Sequence, residues 1–271
     1  LREILGQIGR TLISCVSYTK RWARVYVFRT QIKRFRSSRR SAPLMAVTYF
    51  PLIDKNALSK GIFVNRYFEP LQRAFGNKEK SSISWLAMPV PIDGFSWMDA
   101  LKLAEQFIKK GYGFYLVEEW LRFSGICKAV AIYLYLLLRF LRVSKKIREY
   151  CIFGNSEVKT WSTFRCAWLS SYLGPDSLRE LINYSMFRAC FKELHGCKKL
   201  IYLCENQSWE KAMCLAARDL PVVKIGIQHT STPIFAPRLF FYSSAKQPQL
   251  PMPDYLACAG RIPAALHERF G

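Results

Sequence analysis

Glu205 and His229 are the groups in this sequence best placed to move a proton. Glu205 follows the apolar run Leu200–Cys204, and His229 follows Val222–Gln228. Both runs have strand character. A carboxylate at the end of a buried strand is costly unless it is hydrogen-bonded or solvated in a cleft. There it can act as a general base on a hydroxyl. An imidazole titrates near neutrality and suits proton transfer or phosphate contact. Trp209 to Asp219, between the two strands, has a helical pattern. Strands joined by such a crossover run parallel, so their carboxyl ends share one edge. Open α/β sheets bind their ligands outside that edge. The spacing therefore predicts one crevice that holds Glu205 and His229. Glu210 is a third catalytic candidate, in a first helical turn where the dipole favours a carboxylate. Asn206 or Ser208 can cap that helix. Asn206, Gln228, Thr230 and Ser231 flank these groups and are candidate substrate contacts. His195 and His267 read as residues late in helices.

Several other chemistries are excluded. There is no G-x-x-x-x-G-K-[ST] loop, no G-x-G-x-x-G after a strand, no G-x-S-x-G and no H-E-x-x-H. These absences count against P-loop NTPases, common dinucleotide enzymes, α/β-hydrolases and zincins. The nine cysteines include no C-x-x-C pair. Their odd number and scatter favour a reducing compartment. Cys190, His195 and Cys197 lack a nearby fourth ligand, so no metal is expected.

The elements that hold these groups alternate in type. Leu44–Phe50 and Ile83–Met88 read as buried strands, closed by Pro51 and by Pro89 and Pro91. Ser96 caps a helix from Trp97 to Lys110, with Asp99 completing a capping box and Gly111 ending it. Met98, Leu101, Ala104 and Ile108 share one face of it. Tyr112–Val117 reads as a strand ending on Glu118 and Glu119, or as the start of a helix. Ser177 and Glu180 suggest a second capping box, with a helix from Leu178 to about Leu194 stopping at Gly196. Pro253–Ala259 is a last strand ending on Gly260, and a helix from Pro263 to Phe270 follows. Thr230–Met252 shows no element, and loops of that length are often lids or binding loops. The alternation implies an α/β fold with a doubly wound, mainly parallel, Rossmann-like sheet. A chain of 271 residues, 51% hydrophobic, is ample for such a core.

Charge points to partners. There are 41 Lys and Arg against 19 Asp and Glu, a net charge of +22. Such a field favours nucleic acid, an anionic membrane surface or phosphate-bearing substrates. Nine of the cations and no acid lie between Lys20 and Arg40, interleaved with Trp22, Tyr26, Phe28 and Phe35. This stretch is either a solvated basic helix face or a contact with a membrane surface or polyanion. Ser37, Ser38 and Ser41 suggest a boundary. The expected division is a basic helical segment, 1–40, followed by an α/β lobe, 41–271. Ala129–Leu138 is ten consecutive apolar or aromatic residues flanked by Lys128 and Arg139. It is too short to span a bilayer, which takes about 20 residues. It is expected to be a buried helix or an interfacial helix anchored by its basic tail. No secretory signal is visible, since Arg2 and Arg10 interrupt the first apolar stretch.

Three motifs together resemble a known family. They are Tyr202–Glu210 (Tyr-Leu-Cys-Glu-Asn-Gln-Ser-Trp-Glu), Ile225–His229 (Ile-Gly-Ile-Gln-His) and Pro253–Gly260. The set resembles bacterial surface-carbohydrate biosynthesis proteins, glycosyltransferases of the two-lobed GT-B type broadly similar to capsule and polysialyl transferases. The resemblance covers about the last quarter of the chain, and the rest by element order. It implies an acceptor-binding first lobe, in which Glu205, Glu210 and His229 line the interlobe cleft. Gly260 would end the last strand of that lobe and contact substrate. A second lobe holding most of the nucleotide-sugar site is expected after Gly271, and the first lobe alone is expected to be inactive. The implied partners are a nucleotide sugar and a glycan or lipid-linked acceptor, with no separate cofactor. The implied place is cytoplasmic, peripheral at the inner face of the cytoplasmic membrane, in contact with its anionic surface. A basic nucleic-acid-binding protein and a non-catalytic membrane-associated scaffold are the alternatives. No recognised nucleic-acid motif supports the first of these, and the basic residues are spread through the chain.

Overall fold

Six apolar runs pair into one sheet. They are β1 (Leu44–Phe50), β2 (Ile83–Pro89), β3 (Gly113–Leu116), β4 (Lys199–Leu203), β5 (Val223–Ile227) and β6 (Tyr255–Ala257). Their spatial order is β3-β2-β1-β4-β5-β6, and every neighbouring pair is parallel. All of β2 and nearly all of β1 are buried, as strands covered on both faces must be. The fold is therefore α/β with an all-parallel, Rossmann-like sheet, as the alternation implies. The computed structural model describes residues 2–33, 42–78, 82–92, 94–150, 161–205, 207–228 and 251–270.

The helices among these residues are α1 (Arg2–Lys33), α2 (Lys55–Ser59), α3 (Glu69–Phe75), α4 (Trp97–Lys109), α5 (Phe123–Tyr150), α6 (Trp161–Leu173), α7 (Pro175–Glu193), α8 (Ser208–Ala216) and α9 (Arg261–Phe270). α4 starts as its sequence predicts. The Ser96 hydroxyl accepts from the Asp99 N–H at 3.2 Å, and Asp99 accepts from the Ser96 N–H at 2.9 Å. The hydrogen bonds from Ser96 hold the Asp99 carboxyl below its usual range. Gly111, at φ +82°, supplies the left-handed turn that ends the helix. The open choice at Tyr112–Val117 resolves to a strand, followed by a 3₁₀ turn over Val117–Trp120. The second capping box does not form. α7 starts two residues before Ser177, with Pro175 in the first turn, where its missing N–H is harmless. Glu180 pairs with Arg179 and Asn183 instead.

Contacts divide the chain into two units: Leu1–Val25 with Leu121–Ser185, and Tyr26–Trp120 with Met186–Gly271. α1 contributes to both units. The helix is continuous from Arg2 to Lys33. In the first unit its Thr11 hydroxyl donates to the Leu173 carbonyl at 3.0 Å. In the second unit its Phe28 and Ile32 are core residues under the sheet. Part of the basic, aromatic stretch is therefore structural. Residues 34–40 of it lie outside the described residues.

The sheet unit has an aromatic core. The Phe63 ring lies 5.0 Å from Trp85, 5.0 Å from Phe107 and 5.2 Å from Phe114. These contacts fix the chain that follows β1. On the other side of the sheet order, β5 comes unusually close to the end of β4. A Cβ at Gly226 would stand 2.8 Å from Cys204 Cβ and 3.2 Å from Pro253 Cγ. Gly226→Ala is expected to cost about 1–3 kcal/mol by overpacking. The check is the urea midpoint, which should fall with the m-value unchanged.

Candidate functional site

The sheet reverses its order at β1. The chain moves from β1 to β2 and β3 on one side, then returns to set β4 on the other. Crossovers diverge at such a point and leave a crevice outside the carboxyl ends of the two strands. A cavity of about 220 Å³ lies there. β1 contributes Val47, Thr48 and Tyr49, and the turn from β4 into α8 contributes Glu205, Gln207, Trp209 and Glu210. Leu52, Tyr67 and Ile92 complete one side.

The polar groups form one connected chain whose directions are fixed by chemistry. The Trp209 indole can only donate. It donates to Gln207 Oε1 at 3.1 Å, so that atom is the amide oxygen. The Tyr49 hydroxyl donates to the same oxygen at 2.5 Å. The amide nitrogen of Gln207 therefore faces Glu205 and donates to its Oε2 at 2.5 Å. The two ring contacts agree with this placement: Trp209 lies edge-on to Tyr49 at 5.6 Å and to Tyr202 at 6.1 Å.

Glu210 has a different task. It is the third residue of α8 and buried, and its Oε1 accepts from the Glu205 backbone N–H at 3.0 Å. It thus ties the turn that carries Glu205 to the helix start. Gln207 is the residue before the helix and makes no side-chain cap. Of the two expected caps, Ser208 is already helical and Asn206 lies outside the described residues. Glu210 instead ties the helix start to the backbone of the preceding turn. Behind the cavity, burial pushes the Tyr202 phenol far up and the Cys214 thiol up to about 11. Both stay protonated at neutral pH, and their contact at 3.4 Å is structural.

The wall on the β1 side rests on Asn65. Its Nδ2 donates to Thr48 Oγ1 at 3.0 Å, and its Oδ1 accepts from the N–H groups of Tyr67 and Phe68 at 3.0 and 3.2 Å. Gln72 Oε1 accepts the Asn65 N–H at 2.7 Å. Tyr67 is thereby held at the cavity while the residue remains 43% exposed.

This cavity lies at the carboxyl ends of β1 and β4, and the segment that follows Gln228 at the end of β5 lies outside the described residues. Glu205 and Glu210 are at the site. Gln228 is at the end of β5, buried, with its N–H donated to the Ala257 carbonyl at 2.9 Å, and does not line the cavity. Gly260 follows β6, the edge strand, at φ +146°, and is exposed, away from the lining. Asn206, His229, Thr230 and Ser231 lie outside the described residues. Among the described residues no group of three His, Cys, Asp or Glu side chains gathers as a metal site.

No family model, no curated protein and no solved structure matches the chain.

Tyr49, Gln207, Trp209, Tyr67 and Asn65 were not singled out by sequence. Gln207 and Trp209 stand inside the Glu205–Glu210 run, and that run was their signal. Tyr49 and Asn65 carry no local signal, since only the placement of β4 beside β1 makes them neighbours of Glu205.

Proposed function

We propose that the sheet unit is the acceptor-binding part of a glycosyltransferase of surface-polysaccharide biosynthesis, with Glu205 as the general base on the acceptor hydroxyl. The observation that carries this reading is the lining of the cavity. In a chain of net charge +22, the cavity carries two carboxylates, an amide and three aromatic rings, and among the described residues no Lys or Arg lines it. Phosphate would find no counter-charge among these lining residues. A sugar ring has what the lining matches: a hydroxyl for Glu205, and an apolar face for Tyr67 and Trp209. The volume is below the roughly 300–1,000 Å³ of pockets for drug-sized ligands, so it suits one ring-sized unit. The motif resemblance supplies the reaction class. Glu205 accepts the proton of the acceptor hydroxyl as its oxygen bonds to the donor sugar, and the nucleotide leaves with the broken bond's electrons.

The test is sugar transfer from nucleotide-sugar donors to membrane extracts by the full-length protein, together with binding of neutral glycans followed by saturation-transfer NMR. Glycan signals are expected, and inorganic phosphate is expected not to compete. Tyr67→Ala removes an exposed ring, so folding should be spared. It is expected to weaken glycan binding roughly three- to ten-fold, the worth of one aromatic contact. Competition by phosphate, with no glycan signal, would sink the reading.

A further inference from the structure

α5 is apolar on two opposite flanks, and only one of them is covered. The inner flank is the stripe Ile126, Ala129, Tyr133 and Phe140, all buried. Tyr133 donates to the Leu173 carbonyl at 2.6 Å, and Phe140 packs with Leu169 and Leu173. At 3.6 residues per turn, the opposite arc carries Ala131, Leu134, Tyr135 and Leu138. Leu134 and Tyr135 are each 54% exposed and Leu138 is 87% exposed. The run Ala129–Leu138, expected to be a buried or an interfacial helix, is buried along one flank and exposed along the other. The ten-residue apolar run is part of a 28-residue helix. Its window Phe123–Phe140 has mean hydropathy 1.5, with only 22% of it buried.

A surface helix of a soluble protein keeps its outer arc polar. Here the outer arc is apolar for two turns and then becomes basic. Arg142 and Lys145 continue the same arc, and Lys146 and Arg148 lie beside it, all exposed. Residues 139–150 hold five Lys or Arg and one acid, Glu149. Arg139 sits at the edge of the apolar patch, 2.9 Å from the Tyr135 hydroxyl and over its ring. The other long helix of this unit, α1, also exposes an apolar stripe, with Leu5, Leu12 and Val16 all more than half exposed.

We propose that the outer arc of α5, from Ala131 to Leu138, docks on the surface of an anionic lipid bilayer, with Arg142 and Lys145 on the headgroups. Charge complementarity selects this occupant: an apolar patch next to a basic cluster matches acyl chains next to anionic headgroups. The covered inner flank makes the helix lie on the bilayer, because a helix packed along one side on its own unit offers lipid only the other. The proposal is independent of the sugar-transfer reading.

The experiment is flotation of the full-length protein with vesicles of phosphatidylcholine, with and without phosphatidylglycerol. Binding is expected on the anionic vesicles, falling as salt rises. Leu134→Ser with Leu138→Ser is expected to lower the bound fraction at least about ten-fold, since two leucines no longer leave water. Arg142→Ser with Lys145→Ser is expected to weaken binding to anionic vesicles and flatten its salt dependence. Melting curves should be unchanged in both, as all four side chains are exposed. Unchanged flotation of both double variants overturns the proposal, as does equal binding to neutral and anionic vesicles. Resistance to alkaline carbonate would overturn it in favour of a spanning helix. A soluble dimer dispersed by the leucine changes, with no vesicle binding, would assign the face to a second copy.

Discussion

Asn65→Leu is expected to destabilise the sheet unit by about 3–5 kcal/mol, although leucine is close to asparagine in size. Asn65 is fully buried and serves three partners through its side chain. Leucine offers none of them a hydrogen bond. Two backbone N–H groups, of Tyr67 and Phe68, and the Thr48 hydroxyl would each lose a partner. An unsatisfied buried polar group costs roughly 1–3 kcal/mol. For a unit of this size the melting temperature should fall by about 10 °C. Thr48→Val removes one of the three bonds and is expected to cost about 1–2 kcal/mol. The double change should cost little more than Asn65→Leu alone, because the Thr48 bond is already lost there. An unchanged melting temperature in Asn65→Leu would show that the loop from Phe63 to Phe68 is held by its rings alone. Glycan binding should fall in the same variant even below the melting range, since Tyr67 is placed by the bond its N–H gives Asn65.

What was readable in the sequence was local, and what was not readable was long-range. β1, β2, β4 and the capping box of α4 follow from runs of a few residues: buried β-formers closed by proline, and a serine three residues before an aspartate. The second box failed on equally good local grounds, because Gly174–Pro175 offers an earlier helix start than Ser177. Glu205 was legible because one strand and one turn suffice to place it. Tyr49 was not, because its role depends on β4 pairing with β1 across about 150 residues of chain. The same limit hid the crevice. Strand order decides where the crossovers diverge, and order is not written in any one strand. α5 shows a third kind of limit. Periodicity found an apolar run, but whether its second flank is covered depends on which helices pack against it.

Glu205→Gln is expected to lower turnover of the full-length protein about 10²- to 10⁴-fold, the usual contribution of a general base. The substitution keeps shape and keeps an oxygen for the Gln207 amide to bond, so melting should change little. Glu210→Gln is the comparison that gives this result its meaning. Both carboxylates line the cavity, but Glu210 spends Oε1 on the Glu205 backbone N–H. Glutamine retains an acceptor there, so the turn should hold and turnover should fall less than about ten-fold. Gln207→Leu should lie between them. It leaves the Tyr49 hydroxyl and the Trp209 indole without their shared acceptor and removes the donor that orients Glu205. As a positioning residue it should lower kcat with little change in KM and shift the pH profile of kcat. Wild-type turnover in Glu205→Gln would remove it as the base. Equal losses in Glu205→Gln and Glu210→Gln, with intact melting in both, would mean that the cavity needs its charge and not one proton acceptor. The directed chain from Tyr49 through Gln207 to Glu205 argues against that outcome. A site that needed only charge would have no use for an amide whose two ends are fixed by an indole and a phenol so that its N–H meets one oxygen of one carboxylate.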